Sequence, residues 1–542
     1  MIFAPNRTVM VLGLVALGAL GFAGLQTAVL AVGGAAGAAP APEGGALQAA
    51  ATGPVDPARP FGRTGALTPR EMEMARIAWS FFEGATQPDT GLANSVGNFP
   101  STTMWDTASY LSGLVAAHEL GLIDKRDFDR RATKVLATLR NLDLFRGTLP
   151  NKVYNTKTGE KVDYANKPGE VGYSALDIGR LLIWLKIIKE RYPYLSGPVD
   201  NVVLRWKFCD VLDKDGRMYG AAVSKEGKVR PLQEGRLGYK EYSAKGFGLW
   251  GFDTTAASAA EPLQFERING IDVPVDGRDP RIFHNQNYVV SEGYILEGLE
   301  LNWDLPGDRS GMAGVASDGW RADFADRIYQ VQERRFQDTG ILTARSEHQV
   351  EGAPYFVYDA IFADGYAWNT LDPAQGYQPD RAAVSTKAAI GMWALWETDY
   401  TQILFDYVAD QNEPGKGFDE GIYENGSGAI PLQSANNNGI ILAALLYKAQ
   451  GPILQYRNDL PQLWDTAMVG TGQRAARCLP EPQAPAPATL PASSALGNCP
   501  EGSADAALAA RAYCRPAGRR RRRLALRRPG QHPGHHDIPK TL

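Results

Sequence analysis

Cysteine is scarce, with only Cys209, Cys478, Cys499 and Cys514 in 542 residues. None stands in a CxxC or other metal-binding spacing, which argues against a structural zinc site. Cys478 and Cys499 flank a Pro/Ala-rich stretch, and they either close a loop in an oxidising compartment or stand as thiols in a flexible segment. Histidine is nearly as rare: only His118, His284 and His348 fall between residues 66 and 455. With no HExxH spacing, no G-x-S-x-G elbow and no glycine-rich phosphate loop, zinc-protease, serine-hydrolase and doubly wound nucleotide-binding readings are disfavoured. Asp213-Lys214-Asp215-Gly216 lacks the rest of a calcium loop and reads as a turn. No metal and no cofactor is expected.

A net positive charge is missing from the body of the chain. Residues 511–542 hold nine arginines and Lys540 against Asp537, a net of +9, which leaves residues 1–510 at −13 of the total −4. An acidic body excludes a nucleic-acid partner and suits a neutral polymer such as an uncharged glucan. A polysaccharide lyase, which needs an acidic substrate, fits least.

What is present begins with an address. Arg7 precedes an apolar run from Thr8 to Val32, followed by Ala36-Gly37-Ala38, a small-residue cleavage pattern. The run is also long enough to span a bilayer, so residues 1–38 read as a signal peptide or an N-terminal membrane anchor. Either way the chain is expected in the periplasm or outside the cell, free or anchored to the inner membrane. Residues 39–65 are an Ala/Gly/Pro linker. Residues 456–542 form a Pro/Ala-rich and Arg-rich tail, read as disordered or as a surface tether.

Between the linker and the tail one theme repeats: an amphipathic helix, a polar or aromatic loop, another helix. Thr68 and Pro69 open the first, with Met72, Ile77, Ala78, Phe81 and Phe82 at helical spacing. The spacing predicts helices over 69–85, 103–120, 127–142, 174–191, 199–212, 239–252, 288–301, 319–336, 383–397, 398–410 and 434–449, with a twelfth around 355–368. Strand signals are confined to inserted hairpins, one pairing 148–154 with 161–164 and one pairing 217–223 with 229–232 across Glu226-Gly227. Helices 383–397 and 434–449 carry almost no charge through their middles, as helices buried on both sides should. The expected fold class is all-α, an (α/α)6 toroid over residues 66–455 with short inserted β-hairpins.

Three stretches carry a resemblance. They are Thr102-Thr103-Met104-Trp105-Asp106-Thr107-Ala108-Ser109-Tyr110-Leu111 with the helix end Ala116-Ala117-His118-Glu119-Leu120-Gly121-Leu122, Leu149-Pro150-Asn151-Lys152-Val153-Tyr154-Asn155, and Gly172 through Leu181. They are similar to the bacterial domain of unknown function 3131, over most of residues 70–450. That domain looks distantly like the glucoamylase-like group that includes endo-β-1,2-glucanases, sharing a later Y.EY helix, here Gly238-Tyr239-Lys240-Glu241-Tyr242. The resemblance implies glycan chemistry in the cleft of an (α/α)6 barrel.

Glycoside cleavage needs one protonated and one ionised carboxyl across a sugar ring. Glu241, at a helix start among Tyr239, Tyr242, Phe247 and Trp250, is the first candidate for the acid. It also reads as a first-turn glutamate stabilised by the helix dipole. Asp106 after Trp105, Asp177 between Leu176 and Ile178, and Asp359 are candidate partners, although an N-cap or a buried structural acid would fit the first two. Tyr355-Phe356-Val357-Tyr358-Asp359 through Asp364-Gly365-Tyr366-Ala367-Trp368 interleaves aromatics with acids, as a sugar subsite does. Tyr423 and Glu424 before Asn425-Gly426 are hydroxyl binders or turn residues. Arg180 and Lys245 orient acids or balance charge. The candidate substrate-binding set is Trp105, Arg180, Tyr242, Trp250, Tyr355, Asp364, Trp368, Tyr423 and Glu424. The sequence supports a glycoside hydrolase or transglycosylase acting on a glucan or exopolysaccharide. A non-catalytic glycan-binding scaffold using the same aromatic cleft is the alternative.

Overall fold

The computed structural model describes residues 62–455, apart from 214, 260–262, 284–285 and 304–319. The signal or anchor segment, most of the linker, the tail and Cys478, Cys499 and Cys514 lie outside the described residues, and so does His284. Cys209 is disulfide-bonded. No helix among the described residues is long and apolar enough to cross a membrane.

Helices dominate, and their starts are written in the sequence. Thr68 and Glu71 form a reciprocal capping box around Pro69 at the start of α1 (Pro69–Ala85). Thr103, Asp124 and Ser174 cap α2 (Met104–Glu119), α3 (Lys125–Asn141) and α4 (Ala175–Arg191). The rest are α5 (Ser196–Val203), α6 (Tyr239–Leu249), α7 (Thr255–Ser258), α8 (Pro280–Phe283), α9 (Glu292–Leu301), α10 (Trp320–Thr339), α11 (Thr386–Leu395), α12 (Asp399–Val408) and α13 (Ala435–Gln450).

Packing sorts them into two sets. α2 packs on α4, α4 on α6, α6 on α9, α9 on α11, α11 on α13 and α13 back on α2, so six helices make a circuit that returns to its start. Every residue of α9 and of α11 is buried. The other helices lie against single members or joints of this circuit: α1 on α13 and α2, α3 on α2, α5 on α4, α10 on α9 and α12 on α11. α3 shows the contrast, burying only Phe128, Ala132, Val135, Leu136 and Leu139, one stripe at helical spacing.

The inserted sheets are small and antiparallel. Tyr219–Val223 pairs with Val229–Gln233, as the Glu226-Gly227 turn predicts. Val153–Asn155 instead pairs with Ser101–Thr103 and touches Lys161 only through the Tyr154 bridge. The twelfth helix around 355–368 does not form. Strands Phe356–Asp359, Phe362–Ala363 and Tyr366–Ala367 occupy it, because Asp364 and Gly365 sit at φ 53° and 88°, a two-residue hairpin turn that breaks any helix. The helix expected over 199–212 stops at Val203, and a 3-10 turn at Phe208–Asp210 takes over, setting Phe208 edge-on against Phe247 of α6.

Candidate active site

The N-terminal portions of the circuit helices meet, through first-turn residues and, from α4, Arg180 in the second turn. The Trp105 indole of α2 donates to Glu292 Oε1 of α9 at 3.1 Å and to Asn436 Oδ1 of α13 at 3.2 Å. Asn436 Nδ2 donates to the same Glu292 oxygen at 2.8 Å, and Lys387 Nζ of α11 lies 2.5 Å from Glu292 Oε2. Arg180 of α4 donates to Asn436 Oδ1 at 2.7 Å and lays its guanidinium 4.5 Å from the centre of the Trp105 ring. Tyr239 and Tyr242 of α6 complete the group, with ring centres 5.4 and 6.1 Å from that of Trp105. All six N-terminal ends of the circuit therefore contribute to one polar, aromatic floor. Burial pushes the Glu292 carboxyl up, but Lys387 and Arg180 outweigh it and hold Glu292 below the usual range; Lys387 is raised in return by Glu292.

Beside this floor lies a second set of acids that keep contact with solvent. Asp106, Asp177 and Glu234 are half-buried and ringed by protein. Burial pushes Asp177 up to about 7; the Ser174 hydroxyl, 2.8 Å away, opposes the shift, and the charges of Glu234 and Asp106 add to it. Asp106 is also raised by burial, against hydrogen bonds from Ser95 (2.5 Å) and Thr103 (2.7 Å) to one of its oxygens. Glu234, raised by burial, accepts from the Ala175 amide at 3.3 Å and feels the opposing charges of Lys152 and Arg236. Gly220 lies under this carboxylate, where a Cβ would collide with Glu234 Oε1. Lys152 is lowered by burial, with Glu234 and Asp177 pulling the other way.

An aromatic wall stands over these acids. Tyr239, Tyr288, Tyr358 and Leu371 are buried in one cluster, with Trp105, Leu176 and Phe356 packed against it. Arg236 lies 4.0 Å from the Tyr239 ring centre and 5.3 Å from that of Tyr358, and donates to Glu347 at 3.0 Å. Tyr164 is raised by burial and then by the charges of Asp177, Tyr358 and Glu234.

Of the residues singled out from sequence, Trp105, Asp106, Asp177, Arg180 and Tyr242 come together here. Tyr242 is fully buried and hydrogen-bonded to Glu300, whose carboxyl burial pushes up to about 7. Glu241 does not face the hollow: 2% exposed, it accepts from the Gly238 amide at 2.6 Å and caps its own helix. The reason is its N3 position, where a glutamate reaches back to the N-cap. Asp359 is fully buried and tied to Arg345, Thr370 and the Ala383 amide. Glu424 makes two-oxygen contacts to Arg335 and Arg345. Trp368 lies beside the same two arginines, 4.6 and 5.9 Å from their guanidinium carbons. These three belong to a buried ionic knot away from the acid trio. Trp250 is buried and donates to Leu182 O at 3.0 Å, and Tyr423 accepts from Arg381 at 3.1 Å. Tyr355 sits at φ 68° in the loop before the wall strand, and Asp364 is exposed at a hairpin tip. Sequence reasoning passed over Glu234, Arg236, Lys152, Asn436 and Lys387, and met Glu292 only as the residue into which the polar stretch 284–288 leads. Lys387 had a signal, since it is the one charged residue of an otherwise apolar helix.

A family model described as a protein of unknown function, DUF3131, matches residues 73–451. No curated protein matches the chain. Among solved structures the chain is similar to a protein from Bacteroides fragilis assigned as a glucoamylase (12% identity, TM-score 0.52, 76% of this chain and 97% of that one). It is also similar to an endo-β-1,2-glucanase from Chitinophaga pinensis in complex with sophorotriose and glucose (14%, 0.51, 76% and 98%). A third is a β-1,2-glucanase from Parabacteroides distasonis (11%, 0.51, 76% and 60%). At these identities the likeness is one of fold.

Proposed function

This chain belongs to the DUF3131 family, and on that premise we propose that its helical circuit is an (α/α)6 toroid working as an exported glycoside hydrolase or transglycosylase on a neutral glucan. The observation that carries the reading is Asp177: a carboxyl reachable from solvent, held near pH 7 by burial and by two neighbouring acids, which is the state a general acid requires. Asp177 would protonate the glycosidic oxygen as the bond to the anomeric carbon breaks. Glu234 is the counterpart: burial raises its carboxyl and the charges of Lys152 and Arg236 oppose that shift, and when ionised it would activate water or take the sugar directly. Asp106 acts through its charge on Asp177, as Glu234 does. The half-buried rings of Trp105 and Phe356, packed against the wall, would offer flat faces to the apolar sides of pyranose rings, while the half-buried Asn436 amide would offer a donor to hydroxyls. The glucanase neighbours support β-1,2-glucan as the first substrate to try.

The test measures new reducing ends from a glucan panel that includes β-1,2-glucan. Asp177→Asn is expected to lower kcat by roughly 10²–10⁴-fold, the usual range for a lost general acid, with helicity unchanged. Glu241→Gln is expected to keep turnover and lose about 1 kcal/mol of stability, as a weakened cap does. Full turnover by Asp177→Asn would remove it from the mechanism. Calorimetric binding by the wild-type chain without new reducing ends would favour the scaffold reading instead.

A further inference from the structure

Two large apolar side chains stand far more exposed than the rest: Tyr366 at 71% and Tyr377 at 65%. A single exposed tyrosine needs no explanation. These two, however, sit on separate hairpins whose registers lead back to the same wall. Leu371 faces Tyr358 across one strand pair and Tyr377 across the next. Directly opposed residues share a face of the sheet, so Tyr358, Leu371 and Tyr377 form one row that runs from the buried wall into solvent. Asp359 and Thr370, the neighbouring pair, point to the opposite face and the Arg345 knot. In the second hairpin Ala363, buried in the wall cluster, is opposed by Tyr366. The Asp364-Gly365 turn fixes that pairing, and its first residue is tethered where the Asp364 amide donates to Asn287 at 3.0 Å.

We infer that Tyr366 and Tyr377 are an outer stacking platform for sugar rings of a glucan chain whose inner residues occupy the acid-lined floor, so that the cleft grips an extended chain rather than a short oligosaccharide. This rests on the glycan-cleaving reading above. The distances suit it: two strand spacings separate Tyr358 from Tyr377, ~10 Å, enough to engage a different ring from the one against the wall. The occupant is set by continuity, since the row leads out of the aromatic wall beside the proposed acids, and by chemistry. Tyrosine pairs an apolar face with a hydroxyl, and Asp364 at the same turn is an exposed acceptor for sugar hydroxyls.

The experiment compares Tyr366→Ala, Tyr377→Ala and the double variant on long-chain β-1,2-glucan and on sophorotriose. The double variant is expected to raise KM for the polymer about tenfold through the loss of two stacking contacts, while kcat/KM for the trisaccharide and the circular dichroism spectrum stay as in the wild type. An unchanged polymer KM, or an equal loss on both substrates, overturns the platform and leaves the catalytic reading intact. If the wild-type chain cleaves nothing, calorimetry with the same two glycans decides. Weaker polymer binding by the double variant alone sustains the platform on a non-catalytic protein; no glycan binding by the wild type overturns platform and function together.

Discussion

Whether a first-turn aspartate is ionised depends on a contest between its helix and its burial. At Asp177 the helix start and the Ser174 hydroxyl favour the anion, while enclosure and the charges of Glu234 and Asp106 favour the acid, and the acid side wins by lifting the group from 3.8 to about 7. Two consequences share one sign. If protonated Asp177 donates the proton, kcat/KM falls as pH rises through about 7. Because the folded value lies above the unfolded one, the folded chain binds the extra proton between them, so this contribution to stability is fully present below about pH 4 and is lost as pH rises through 7. Urea unfolding at pH 5 and 8 should show a larger fall for the wild type than for Asp177→Asn; equal falls would mean that Asp177 carries no such proton. Asp106 and Asp177 were singled out in the sequence because one follows Trp105 at a helix start and the other lies between Leu176 and Ile178. Asp359 and Glu424 were misread because a carboxyl in an aromatic stretch looks the same whether it faces a sugar or a buried arginine. Only the fold decides that, by bringing Arg345 from another loop.

Helix positions were legible almost throughout, because caps and apolar stripes act within a few residues. What escaped was punctuation. Asn269-Gly270, with both residues at positive φ, turns the hairpin of Leu263–Ile268 with Ile271–Asp276. Asp364-Gly365 does the same inside the stretch read as a twelfth helix. Both are two-residue hairpin signals that local chemistry supplies, and aromatic spacing masked the second. Close approach of helices was not legible, since a glycine within a helix gives no sign of what it will face. α4 and α6 cross with Gly246 over the Gly179 carbonyl and Gly179 against Ser243, so that a Cβ at either position would overlap backbone. Gly246→Ala must push the two helices apart, at a cost of about 1–3 kcal/mol, despite the better helix propensity of alanine. Thermal unfolding should show a lowered Tm; a raised Tm would mean that the crossing is looser than described.

At the scale of the whole circuit, connectivity and chemistry are the same problem. α13 comes last among the described helices, yet it packs on α2, near the beginning, with Gly439 against the Ser109 carbonyl, and it supplies Asn436 to the floor. The toroid expected from the sequence rested on the count of helices, and nothing local marked which helices would meet, because contacts between residues more than 300 positions apart leave no local pattern. In an open stack of helical repeats, loss of the last unit removes one interface and the remainder survives. In a closed circuit the same loss opens two, here with α2 and with α11, and takes the Asn436 amide from Glu292 and from the Trp105 indole. A chain ending at Gln433 should therefore fail as a unit: no cooperative urea transition by circular dichroism, and exposed apolar faces on α2 and α11 that bind a hydrophobic dye. If that chain instead unfolded cooperatively at a midpoint near that of the full chain, the six helices would be stacked rather than closed, and the convergence of their N-terminal portions would not depend on the ring.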